Sequence, residues 1–152
     1  MTTADDEMRA VDLPFRFDSR LDRVTLEPDP DDPDADLYTA YLASLLTDRR
    51  RPAHVGPPVP ISGFAGDLID GRETGSLLYL LSGARLDAET IARAERYADQ
   101  ALAWMVEAGV AVSVRSVGAA EPPDRIRLTT TIERARPDAP PRRYTLAVSL
   151  RD

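Results

Sequence analysis

The chain has 152 residues, with 26 Asp and Glu against 19 cationic residues that are all Arg, a single His and no Cys. At this length one domain buries roughly 70% of the surface of its unfolded chain, so its core needs neither disulfide nor metal. The missing Cys excludes a disulfide framework, thiolate zinc, iron-sulfur clusters and a Cys nucleophile; the lone His54 excludes multi-His metal sites; and the net charge of -7 argues against nucleic acid or anionic membranes as partners.

The N-terminus, Met1 to Arg9, carries Asp5, Asp6 and Glu7, the wrong charge for a signal peptide. The longest nearly apolar stretch, Leu77 to Leu81, is far short of the roughly 20 residues of a membrane span. A soluble intracellular protein is expected, with residues 1–12 a flexible tail and 13–150 one domain. Phe15-Arg16-Phe17 and Leu21 to Leu26 flank Asp18-Ser19-Arg20 and predict a short hairpin. Between Glu27 and Asp36, Pro28, Pro30 and Pro33 block both helix and ladder pairing, so this acidic stretch is a loop. An EF-hand placed on it fails: counting from Asp29, Pro33, Asp34 and Ala40 stand where a ligand, Gly and a bidentate Glu are required.

Asp34 or Asp36 then caps a helix with Leu37, Tyr38, Tyr41, Leu42, Leu45 and Leu46 on one stripe. Arg49, Arg50 and Arg51 are expected in its last turn, where cations suit the carbonyl end of the dipole, with Pro52 as the stop. Such a cluster suits a protein partner better than phosphate in these acidic surroundings. From Pro52 to Gly75 a long Pro- and Gly-rich loop is expected, of the length that usually serves function or lies under a partner. A short apolar turn, Leu77 to Leu81, follows Ser76 as a possible cap. Asp87 caps the longest helix, Ala88 to Ala108, with Ile91, Ala94, Ala98, Ala101, Leu102, Met105 and Val106 on its apolar side and Gly109 as the C′ residue.

After Gly109 the apolar period changes from 3.6 to 2. Val110, Val112, Val114 and Val117 mark one strand, Ile126, Leu128, Thr130 and Ile132 a second, and Tyr144, Leu146, Val148 and Leu150 a third. Pro122-Pro123-Asp124 and Pro137 to Pro141 suit the turns of an antiparallel meander. The fold class is therefore α+β: a short N-terminal hairpin, two main helices and a C-terminal antiparallel three-stranded meander.

Catalytic signals are weak. His54 lies in a Pro-rich loop without a nucleophile elbow or orienting partner. The run Gly63-Phe64-Ala65-Gly66-Asp67 to Gly71 lacks the Lys and Ser/Thr of a P-loop and follows no predicted strand. Asp67, Asp70 or Glu107 would supply the carboxylates of a glycoside hydrolase, and a regulatory adaptor is a further alternative, but chance carboxylate pairs are expected among so many acids. No catalytic, metal or cofactor-binding residue is assigned.

Several strings taken together point elsewhere: Ser44-Leu45-Leu46-Thr47-Asp48-Arg49-Arg50, Gly63-Phe64-Ala65-Gly66-Asp67, Gly75-Ser76-Leu77-Leu78-Tyr79-Leu80-Leu81, Ala94-Glu95-Arg96-Tyr97-Ala98-Asp99-Gln100-Ala101-Leu102-Ala103-Trp104, and Glu107-Ala108-Gly109-Val110-Ala111. In this order and spacing the chain resembles the small baseplate protein of Mu-like contractile-tailed bacteriophages. That group is itself similar to the short, lysozyme-like baseplate wedge component of contractile tails and injection systems, whose opening resembles Leu13-Pro14-Phe15-Arg16-Phe17-Asp18. The resemblance covers roughly residues 13 to 150. The wider family carries Glu-Pro-Arg after the long helix where this chain has Glu107-Ala108-Gly109, so only Glu107 carries over, and Ala65 stands where the Mu-like loop usually has a second aromatic residue.

The resemblance implies a structural subunit rather than an enzyme, working in a six-fold baseplate. Its implied partners are the core helical bundle of larger wedge proteins and the tail sheath protein, whose first ring it would nucleate by strand addition. It implies assembly in the host cytoplasm and a final place in the virion or injection particle. The expected partner-binding residues are Glu107, Phe64, Asp67, Arg49 and Arg50, together with Arg142, Arg143, Tyr144, Leu146 and Val148 of the last strand. Charge divides accordingly: residues 1–76 hold 16 acids and 8 Arg, whereas residues 77–152 hold 10 acids and 11 Arg. Two differently charged faces for two partners are expected.

Overall fold

A computed structural model describes residues 15–18, 23–26, 35–56, 63, 67, 71 and 73–151. The chain divides into two units, residues 1–39 and 40–152. In the first, β1 (Phe15–Asp18) and β2 (Arg23–Leu26) pair antiparallel, with Phe15 opposite Leu26 and Asp18 opposite Arg23, as the hairpin reading requires. The expected flexible tail and the Pro-Asp loop lie outside the described residues.

Helix α1 (Ala35–Leu46) begins where expected and ends earlier than expected. Its stripe survives in part: Leu37, Tyr41 and Leu45 are buried, whereas Leu46 is 64% exposed. Arg49, Arg50 and Arg51 do not occupy its last turn, which carries no basic residue. Tertiary hydrogen bonding stops the helix before Pro52 can, because Asp48 forms a parallel bridge with Ser76 and the backbone leaves the helical path.

In the second unit, α2 (Ala88–Glu107) lies against the sheet. The Asp87 carboxylate accepts a 2.8 Å hydrogen bond from the Thr90 amide, and that bond to the charged form holds its pKa below the usual carboxylate value. At the other end, Gly109 has φ +74 and donates to the Val106 carbonyl while Val110 donates to that of Met105, the two bonds of a Schellman motif. Ala94, Ala98, Leu102 and Met105 are wholly buried, but Val106, expected on the apolar side, is exposed. Short side chains along this stripe let the sheet approach closely.

The C-terminal sheet has the expected meander order. β3 (Ala111–Glu121), β4 (Arg125–Arg134) and β5 (Arg142–Ser149) pair antiparallel, with β4 central. Ile126, Leu128, Thr130 and Ile132 of β4 are completely buried, each apolar one contributing about 1.5–3 kcal/mol of transfer free energy. Tyr144 and Leu150 complete the covered face from the third strand and its end.

The first strand departs from its predicted face. Its register slips between Ala111 and Ser113, and Val112 and Val117 are 60% and 54% exposed. Val117 is three residues from Val114, an odd step that reverses its side in a period-2 strand. The buried position goes instead to Ser116, whose Oγ lies 2.9 Å from Thr130 Oγ1. At Gly118 any Cβ would sit 2.8 Å from Ile91 Cγ2, so glycine permits a close passage of α2 over β3.

Candidate functional site

Three places bring together the residues singled out by sequence. The first is the exit of α1. Ser76 N–H donates to the Thr47 carbonyl at 2.8 Å and the Arg49 amide donates to Ser76 O at 2.9 Å. Ser76 Oγ donates to Leu45 O at 2.7 Å, Tyr79 OH to Arg49 O at 2.9 Å and the Gly63 amide to Asp48 O at 2.9 Å. Carbonyls orphaned at the helix end are thus satisfied by a segment some 30 residues away. Gly75 makes this possible: φ is +102, and a Cβ there would collide with the Thr47 carbonyl oxygen.

Arg49 is folded into this junction. Its side chain is 14% exposed, Nη2 donates to Glu73 O at 3.1 Å and Nε lies 3.3 Å from Glu73 Oε2. Asp67 Oδ2 accepts from the Thr74 amide at 3.0 Å. Arg50 is exposed and runs beside Gly63. Ser76 Oγ also accepts from the Leu78 amide at 3.4 Å, but the N-cap of the 3-10 helix Leu78–Leu81 is Leu77 and not Ser76 as expected, because the Ser76 hydroxyl is committed as a donor to Leu45 O. Phe64 and Asp70 lie outside the described residues, and His54 is exposed.

The second place is the end of α2, where Glu107 is exposed beside exposed Val106 and Val110. Trp104 Nε1 donates to Ser44 Oγ at 2.9 Å and ties α2 to α1, while the ring of Tyr41 meets that of Tyr144 at 5.0 Å and ties α1 to β5. These two contacts join α1, α2 and β5.

The third place is the pair of sheet edges. On β3 the amides of Ser116 and Gly118 donate to Asp99 Oδ1 and Glu95 Oε1 of α2, each at 2.7 Å. They therefore point away from β4. Alternation in an antiparallel ladder then directs Leu128 and Thr130 of β4 toward β5, where they face Leu146 and Tyr144. The Leu150 amide, which donates to Asp124 O, shares that parity. Hence Tyr144, Leu146 and Val148 spend their backbone groups on β4, and Thr145 and Ala147 turn theirs outward.

Side chains on β5 follow the same alternation. Tyr144 is buried, Leu146 and Val148 are half-buried, Arg142 is half-buried and Arg143 is exposed. On the sheet's other face Glu121 binds Arg127 at 2.7 Å and approaches Arg125 at 3.6 Å; Arg151 pairs with Asp124. Such exposed pairs contribute about 0–1 kcal/mol each, so they set surface charge more than stability. Sequence reasoning missed Glu95 and Asp99 as edge ligands. Their signal was an acidic i, i+4 pair bordering the apolar stripe, read only as part of a motif.

Among the described residues no three His, Asp or Glu side chains gather as a metal site, and no helix is long and apolar enough to cross a membrane. Comparison with known proteins decides the lineage, since residues 37–140 match the family described as Phage protein GP46. The chain belongs to the GP46 family. It is 40% identical over 85 residues to the Mu-like prophage FluMu protein gp46 of Haemophilus influenzae, covering 55% of this chain and 58% of that protein. It is 38% identical over 90 residues to the baseplate protein gp46 of Escherichia phage Mu, covering 55% of this chain and 61% of that one. The chain thus spans less than two thirds of either relative. No solved structure matches it significantly. The GP46 match runs from α1 through the turn preceding β5, so the last strand lies beyond it.

Proposed function

We propose that this GP46-family chain is a structural subunit of a contractile-tail baseplate, the role carried in the name of its phage Mu relative. Within a six-fold baseplate it docks on the helical core of larger wedge proteins and nucleates the first sheath ring by accepting a strand at β5. Its place is the host cytoplasm during assembly and the virion or injection particle afterwards. Glu107, the loop with Phe64 and Asp67, and Arg49 and Arg50 serve the wedge contact. The last strand serves the sheath. Arg142 and Arg143 flank its start and orient the incoming segment, while Tyr144, Leu146 and Val148 set its inner face.

The observation that carries this reading is the outward parity of Thr145 and Ala147 on an edge strand whose neighbouring Leu146 and Val148 are only half-buried. Main-chain groups there offer hydrogen bonds to an added strand, and alternate apolar side chains offer register. Ala147→Pro tests it. Proline removes one outward N–H and leaves the β4 ladder its donors, a substitution that edge strands tolerate. Baseplates carrying Ala147→Pro should assemble yet fail to polymerise sheath; normal sheath on those baseplates would overturn the proposal.

A further inference from the structure

We infer that Glu95 and Asp99 seal the β3 edge of the sheet, so that a strand can be added at β5 alone. A three-stranded sheet has two edges, and each offers unpaired N–H and C=O groups to any extended chain. In this molecule the two edges are treated oppositely. The Ser116 and Gly118 amides, which point out of the sheet from β3, are each held by a carboxylate oxygen at 2.7 Å. No described residue donates to or accepts from the outward groups of Thr145 and Ala147 on β5 in the same way.

The seal follows from commensurate geometry. Residues four apart on a helix rise about 6 Å, and residues two apart on a strand rise about 6.8 Å. Glu95 and Asp99 are four apart on one face of α2, and Ser116 and Gly118 are two apart on one edge of β3. Two successive carboxylates therefore meet two successive outward amides. Hydrogen bonds to an ionised acceptor are roughly twice as strong as neutral ones, so an incoming strand would have to displace both. Gly118 completes the fit, because a Cβ there would meet Ile91 Cγ2 at 2.8 Å and Glu95 Cγ at 3.5 Å and push the helix away.

One-sidedness has a consequence for assembly. A sheet open at both edges can pair the β5 of one copy with the β3 of the next, a heterologous contact that does not close and so grows into filaments. Sealing β3 removes that route while leaving β5 for a partner. The purpose assigned here rests on the strand-addition reading above, but the seal itself is measurable on the isolated chain.

Hydrogen exchange on the wild-type protein should show the Ser116 and Gly118 amides protected and those of Thr145 and Ala147 exchanging faster, by on the order of tenfold or more. Equal exchange at the two edges would overturn the inference. Glu95→Ala/Asp99→Ala should then release protection at Ser116 and Gly118 and give a mass that rises with concentration above that of wild type in light scattering. Glu95→Gln/Asp99→Asn keeps a carbonyl acceptor at each position and should remain monodisperse. A folded double-alanine variant that keeps both amides protected, or loses protection without associating, would sink the idea. Failure of Ala147→Pro to block sheath would leave the seal standing and discard only its purpose.

Discussion

Between α2 and β4, Ala94, Ala98, Leu102, Met105, Ile126, Leu128 and Ile132 are all completely buried, and apolar area removed from water holds the two elements together. Around residues 47–49 and 73–76 the chain is joined instead by hydrogen bonds: Ser76 and Tyr79 bond backbone groups of residues 45–49, the Arg49 guanidinium donates to Glu73 O, and Gly75 leaves room for the close approach. The first region tolerates small shifts at a graded cost, since side chains repack. The second is held by backbone geometry, where one misplaced atom removes several bonds at once. The sheet is thus held by many interchangeable apolar contacts, and the junction beside Ser76 by a few directional ones.

Leu128→Ala tests the apolar half hardest. Deleting that fully buried side chain from the central strand should cost about 3–4 kcal/mol and show as a large fall in the denaturant midpoint. A cost below about 1 kcal/mol would mean that the sheet face is not the core. Gly75→Ala comes next, at about 2–3 kcal/mol from positive φ and the clash with the Thr47 carbonyl. Its signature should be local: the Arg49 and Ser76 amides lose protection from exchange while those of β4 keep theirs. Equal loss in both regions would mean that the junction and the sheet open as one unit.

Smaller effects sharpen the boundary between them. Trp104→Phe removes the 2.9 Å donation to Ser44 Oγ while keeping most of the ring, and should cost about 1 kcal/mol by thermal denaturation. Asp87→Ala should have the mildest and the most pH-dependent effect. Its carboxyl is held below the ordinary Asp value by the hydrogen bond from the Thr90 amide, so the folded pKa is depressed. That contribution is fully present above the unfolded value and disappears as pH falls through the folded one. The stability difference between wild type and Asp87→Ala should therefore persist at neutral pH and vanish well below pH 3.8; a difference independent of pH would assign the capping energy elsewhere.

The same contrast explains what was legible in the sequence. Apolar periodicity exposed both helices, the buried face of β4 and β5 and the meander, because burial repeats with the period of the element. Asp87 and Gly109 announced themselves as caps through local chemistry. The exit of α1 did not, because Ser76 competes for the Thr47 backbone from some 30 residues away and no local rule places Arg49, Arg50 and Arg51 outside the helix. The face of Val117 could be read from its odd step from Val114, whereas the exposure of Val112 was hidden by the register slip between Ala111 and Ser113. Glu95 and Asp99 were invisible as edge ligands for a similar reason: their i, i+4 spacing looks like an ordinary solvated helix face until the strand beside it is known. The outward parity of Thr145 and Ala147 on β5 was hidden as well, because which backbone groups face out depends on the register with β4 and not on any local sequence signal.

Under the proposed strand addition, the outward groups of β5 receive a sheath strand in the assembled particle. Hydrogen exchange of the Thr145 and Ala147 amides, compared between the isolated chain and sheathed baseplates, measures this directly. Protection gained at those two amides on sheath addition, with Tyr144 and Leu146 already protected in both states, is the expected result. Thr145 and Ala147 exchanging at the same rate in the isolated chain and the sheathed particle would mean that no strand is added at β5.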